Sequence, residues 1–136
     1  MGSFKQIITG LKSKGIKITI QRLAIIDFLA NNPIHPTAED IYSEVKKDFS
    51  SMSLATVYNT LEKLEEIGEI IKLRMSDKKF NYEYNLLPHN HFYCKKCKRI
   101  LDIWKEVISS KNEIDGHKIE ETQVCYKGYC KECRVD

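Results

Sequence analysis

Through the first half of this chain apolar residues recur at helical spacing, and after Gly68 they switch to alternation. Residues 4–14 read as a short amphipathic helix ended by Gly15. Thr19 is placed to cap a second helix over 20–31, with Ile20, Leu23, Ile26 and Leu29 in step and Asn31-Asn32-Pro33 as its stop. Thr37 with Asp40 three residues later has the capping-box pattern. It opens a third helix carrying Ala38, Ile41, Tyr42, Val45 and Phe49 on one face. Ser53 caps a fourth, in which Leu54, Val57, Leu61 and Leu64 repeat until Gly68 ends the run. Ile71 and Leu73, then Phe80, Tyr82 and Tyr84, alternate around Ser76-Asp77-Lys78-Lys79, which predicts a two-stranded hairpin. Short helices followed by a hairpin make a winged helix-turn-helix, with residues 53–66 as its recognition helix.

The second half is patterned differently. Residues 85–90, with Pro88, read as a hinge. Strand patterns at 91–94 and 99–104 flank a cysteine knuckle. A helix is expected near 105–114 and a strand near 117–126. The fold class is therefore α+β: a winged helix-turn-helix over 1–84, a hinge over 85–90, and a small α/β domain over 91–136. With 136 residues, 42% hydrophobic and 30% charged, the chain is an ordinary water-soluble composition. No apolar run approaches a membrane span, and no signal peptide is visible, so the expected setting is the cytoplasm with no membrane partner.

Two Cys-x-x-Cys pairs add chemistry to this picture: Cys94 with Cys97 and Cys130 with Cys133, separated by 32 residues. Two intervening residues let both thiolates of a pair enter one tetrahedral shell, so the two knuckles can close a four-sulfur structural zinc site, one Zn2+ per chain. The redox alternative needs a Cys-x-x-Cys in a βαβ context, which is absent. Cys125 is left over and reads as a half-buried strand residue.

Charge adds a smaller signal. The net charge is only +3, yet residues 1–26 hold five basic residues, among them Lys17 and Arg22, and no acid. Such a stretch suits either a phosphate backbone or simple solvation. The fourth helix offers Ser53, Thr56, Asn59, Thr60 and Lys63 as a polar face, with Tyr58 beside it, suited to base edges in a major groove. His89 and His91 form a second metal candidate near Glu83 and Asp102, although the pair is expected to chelate poorly unless the chain bends at Pro88. Mixed imidazole and carboxylate donors suit iron, manganese or zinc.

Taken together, these residues resemble one family. Leu54 to Leu61 (LATVYNTL) looks like the recognition helix of the ferric uptake regulator family of bacterial metal-dependent repressors. Gly15 to Arg22 (GIKITIQR) is similar to that family's entry into the second helix, with Ile20 where proline is usual. His89 to Asp102 resembles its metal-binding core. The resemblance implies a homodimer that represses transcription by binding a palindromic double-stranded DNA operator when loaded with a regulatory Fe2+ or Mn2+, the second domain serving dimerisation. It implies regulatory ligands at His35, Glu83, His89, His91 and Asp102, and structural zinc at Cys94, Cys97, Cys130 and Cys133. It also implies that Lys17 reaches the minor groove and Tyr58 touches base methyls. Asp102 resembles the peroxide-sensing branch, whereas Glu83 stands where peroxide sensors usually carry Asp.

The reading is thus a repressor and not a turnover enzyme, sensing peroxide through iron-catalysed oxidation of a regulatory histidine, with iron-responsive repression as the alternative. A zinc deaminase needs His-x-Glu and a Pro-Cys-x-x-Cys, and neither is present. A zinc-ribbon interaction module has no use for the winged-helix half.

Overall fold

Local chemistry decides where each helix starts and stops. The computed structural model describes residues 4–32, 35–75, 79–84, 87–105 and 111–136. Helix α1 spans Phe4–Ser13, α2 Ile20–Asn31, α3 Ala38–Val45 and α4 Leu54–Glu66. Thr19 Oγ1 accepts the Arg22 N–H at 3.1 Å, and Ser53 Oγ accepts the Thr56 N–H at 3.1 Å. Both satisfy donors that a helix start leaves without partners. Thr37 and Asp40 complete the capping box, each backbone N–H donating to the other's side chain, at 3.0 and 3.1 Å. Gly15 and Gly68 sit at φ 72° and 78°, left-handed positions where a Cβ costs free energy, and there the chain leaves α1 and α4.

The chain divides into two compact units, Met1–Leu86 and Leu87–Asp136. In the first, α2 packs on α1, α3 and α4, and α3 packs on α4. Ile7, Leu11, Ile25, Ile26, Leu29, Ile41, Val57, Leu61 and Leu64 are all 2% exposed or less. Each such side chain contributes on the order of 1.5–3 kcal/mol by leaving water. Two details differ from the sequence pattern. Ile20 is 70% exposed and Ile25 takes the core position instead, because α2 turns a wider face inward than one stripe. α3 stops at Val45, and Phe49 reaches the core from the turn that follows. Strands β1 (Ile71–Leu73) and β2 (Asn81–Glu83) pair antiparallel, Ile71 opposite Glu83, as the wing. The expected turn residues 76–78 lie outside the described residues, as does Pro33.

The second unit is built on a three-stranded sheet of order β4-β3-β7. β3 (Asn90–Cys94) pairs antiparallel with β4 (Ile100–Ile103) and parallel with β7 (Cys125–Gly128). The expected helix near 105–114 is corrected in part: residues 106–110 lie outside the described residues, and Glu113–Ile114 is strand β5, paired with β6 (His117–Lys118). Asp115 and Gly116, at φ 51° and 81°, make the two-residue hairpin turn that Asp-Gly favours. The strand expected over 117–126 is broken between β6 and β7. Among the described residues no helix is long and apolar enough to cross a membrane.

Candidate metal centres and DNA-reading face

The four cysteines of the two knuckles offer sulfur atoms within 4.8 Å of one another. Cys94 closes β3, Cys97 ends the turn that follows, and Cys130 and Cys133 span a matching turn after β7. Cys97 Sγ and Cys130 Sγ are 3.9 Å apart. A tetrahedron with metal–sulfur bonds of about 2.3 Å has edges of about 3.8 Å, so the donor set fits zinc closely. The backbone N–H of Cys130, 3.4 Å from Cys94 Sγ, is the main influence holding that thiol down at about 6, and the Cys97 N–H at 3.5 Å assists it against burial. Burial works to raise the Cys130 thiol, but hydrogen bonds from Cys133, backbone N–H groups and Arg99 bring it below its ordinary value. Cys133, donating to Cys130, is pushed up to about 12. The donors around Cys94 and Cys130 thus favour the thiolate form that a divalent cation binds.

Imidazole and carboxylate meet in each unit. In the first, the wing fixes His35: Asn81 Nδ2 donates to the His35 carbonyl at 2.7 Å, and the Tyr82 N–H donates to the Pro36 carbonyl at 2.9 Å. The same strand then brings the buried Glu83 carboxylate within 3.4 Å of His35 Nε2. In the second, His91 sits directly opposite Asp102 in the β3–β4 ladder, so their side chains share a face. His91 Nε2 lies 3.6 Å and His89 Nε2 3.2 Å from Asp102 Oδ1. The expectation of a poorly placed His pair is corrected, since residues two apart along a strand share a face and need no bend. His89 Nδ1–H donates to the Leu87 carbonyl at 2.6 Å, which selects the tautomer whose Nε2 carries a lone pair for a metal. Trp104 stacks on the His89 ring at 4.5 Å. The sequence reading missed that contact.

The recognition helix presents its residues unevenly. Tyr58 and Asn59 are exposed, whereas Thr60 is 1% exposed and donates to the Thr56 carbonyl, so it leaves the polar face assigned to it. Ser53 and Thr56 engage each other, Oγ to Oγ1, at 2.8 Å. Tyr58 donates its hydroxyl to Glu39 Oε1 at 2.6 Å, a bond that raises the tyrosine's pKa and lowers the carboxylate's. Arg22, one of the basic residues of the N-terminal stretch, donates to the Lys17 carbonyl at 2.5 Å and to Asn59 Oδ1 at 2.9 Å. The Asn59 side-chain oxygen is thus occupied by Arg22, while Lys17 is exposed. Helical period alone gives no signal for this cross-helix contact.

Residues 13–126 match the sequence profile of the Ferric uptake regulator family. The peroxide operon regulator of Bacillus subtilis (strain 168) is 35% identical over 133 residues, spanning 95% of this chain and 92% of that protein. The peroxide-responsive repressor PerR of Staphylococcus aureus is 31% identical, spanning 96% and 90%. Among solved structures, PerR from Streptococcus pyogenes superposes with a TM-score of 0.59 at 30% identity, over 98% of this chain and 95% of that one. The ferric uptake regulator Fur of Helicobacter pylori shares the fold at a TM-score of 0.76 and 22% identity, over 99% and 96%. The chain belongs to the Ferric uptake regulator family.

Proposed function

We propose that this chain is a metal-dependent transcriptional repressor that, as a cytoplasmic homodimer, holds a palindromic operator and releases it when peroxide oxidises a regulatory histidine. The observation that carries this reading is the pairing of imidazole with carboxylate in each of the two units: His35 with Glu83 in the first, and His89 and His91 with Asp102 in the second. Neither set fills a coordination shell by itself. His35 and Glu83 with His89, His91 and Asp102 make five nitrogen and oxygen donors, a set that suits Fe2+ or Mn2+. Joint ligation restrains the hinge and selects arrangements in which two recognition helices match half-sites one helical turn apart. The relatives that share peroxide-response names across nearly the whole chain support the sensing branch. Homodimerisation is supported by the exposed Tyr126 and Tyr129 on and beside β7, in a unit whose buried apolar side chains, among the described residues, are only Cys94 and Cys130.

Iron(II), when bound, supplies one-electron cleavage of peroxide. On the protein, an imidazole C–H becomes C–OH; the O–O bond breaks and the second oxygen leaves as water. His35 and His89 are the proposed targets. Iron-loaded protein treated with dilute peroxide is expected to gain one oxygen on a peptide holding either histidine and to release operator DNA, while the manganese form does neither. Mass spectrometry with a parallel DNA-binding assay checks it. Glu83, a longer carboxylate in contact with His35, favours the second reading, iron-responsive repression without this chemistry. An iron form that stays unmodified and bound establishes that second reading.

Ser53, Thr56, Tyr58 and Asn59 are the proposed reading face, with Lys17 reaching the backbone or minor groove. Tyr58→Ala is expected to cut preference for operator over random DNA by about tenfold, the worth of one base contact. Lys17→Ala weakens both and flattens the salt dependence. Titrations at several salt concentrations decide it, and two unchanged variants remove this face from consideration.

A further inference from the structure

The first knuckle carries a cation that its cysteine spacing does not require. After Cys97 the chain reverses: the Lys98 N–H donates to the Cys94 carbonyl at 2.9 Å, Lys98 adopts φ 64°, and the Cys94 N–H donates to the Arg99 carbonyl at 3.0 Å. That reversal sends the Arg99 side chain back over the sulfur cluster. Its Nε lies 3.3 Å from Cys97 Sγ, and its Nη2 lies 3.6 Å from Cys130 Sγ and 2.8 Å from Glu132 Oε2. One planar guanidinium thus touches a sulfur from each knuckle and an acidic residue of the second knuckle.

The consequence follows from charge. Four thiolates around a dication carry a net charge of about −2, and each N–H donated to sulfur disperses part of it. Cys94 is fully buried and takes backbone N–H groups from Cys97 and Cys130. Cys97 is the exposed member of the set, the sulfur an electrophile meets first. We propose that Arg99 guards the four-sulfur centre, a forked donor that lowers the reactivity of Cys97 and Cys130 and slows loss of zinc. The bland reading is a surface ion pair with Glu132, which predicts no change at sulfur.

Zinc-loaded full-length protein, labelled with N-ethylmaleimide and separately challenged with a chromophoric zinc chelator, tests this. In Arg99→Gln, Cys97 is expected to label on the order of tenfold faster, the worth of one charge-assisted hydrogen bond, with zinc transfer accelerated in step. The urea midpoint should hold. Arg99→Lys keeps the charge but loses the fork, and its rates are expected to fall between the two. Glu132→Gln, which only loosens the tether, should accelerate labelling less than Arg99→Gln. Wild-type rates in Arg99→Gln overturn the proposal. So does equal acceleration at all four cysteines with a lowered urea midpoint, which means general loosening. If Arg99→Gln does not fold, Arg99→Lys decides: protection equal to wild type overturns the fork.

Discussion

Cys130→Ser is expected to reduce bound zinc from about one per chain to nearly none and to unfold the second unit while leaving the first intact. The asymmetry follows from where apolar side chains go. The hydrophobic cluster of α1 to α4 and the wing lies wholly within the first unit. Among the described residues of the second, the buried ones are Cys94, Cys130, Asn90 and His91, and no Leu, Ile, Val, Met, Phe, Tyr or Trp is among them. A short segment without an apolar interior needs a staple. Here four sulfurs supply it: they join the end of β3 to the turn after β7, two pieces of chain the sheet pairs only along one parallel edge. Structural zinc sites contribute folding free energy directly, commonly more than a small domain has in reserve. Serine oxygen is a poor substitute for thiolate in that shell. Metal analysis with hydrogen exchange on β3 and β7 is the check. Full zinc and protected strands in Cys130→Ser would show that the staple lies elsewhere.

His35→Ala is expected to do the reverse. Zinc and fold should persist, and the strengthening of operator binding by added manganese should fall by on the order of 100-fold, as removal of metal-site groups commonly does. His35 sits after α2 and before the capped start of α3, and its backbone is held by Asn81, whose bond uses the carbonyl and survives the substitution. Only the imidazole is lost, and with it one of the two donors the first unit contributes to the proposed regulatory set. Glu83 cannot replace it, because a single carboxylate gives the second unit's ligands little to pull against. Fluorescence anisotropy of labelled operator, titrated with manganese for both proteins, reads the effect. A variant that answers manganese like the wild type would take His35 out of the regulatory site.

How legible this was in the sequence depended on how local each cause is. Thr19, Thr37, Ser53, Gly15 and Gly68 act within a turn of where they stand, so every helix start they mark and the ends of α1, α2 and α4 could be placed to within a residue or two, whereas α3, with no such stop signal, ends four residues before Phe49. The cysteine knuckles were equally plain, since the geometry of each pair is set by two intervening residues. The rest depends on distant pairing. β7 joins β3 in parallel across thirty intervening residues, and two-residue strands leave too few positions for an alternation to be seen. His35 meets Glu83 because the wing grips residues 35 and 36, a tertiary contact reached beforehand only through family resemblance. Arg22 on Asn59 and Arg99 on sulfur belong to the same kind: long, flexible side chains whose destinations follow from the fold.

Strand β3 also ties two chemistries to a single length of backbone. His91 and Cys94 lie three residues apart on it, a distance of about 10 Å at the usual rise. The strand works as a ruler with an imidazole marked near one end and a sulfur at the other. Under the proposed assignments it keeps its calibration only while zinc grips the Cys94 end. A cell short of zinc would then make a chain that is blind as well as unstable, and zinc supply would set how many working sensors each round of synthesis yields.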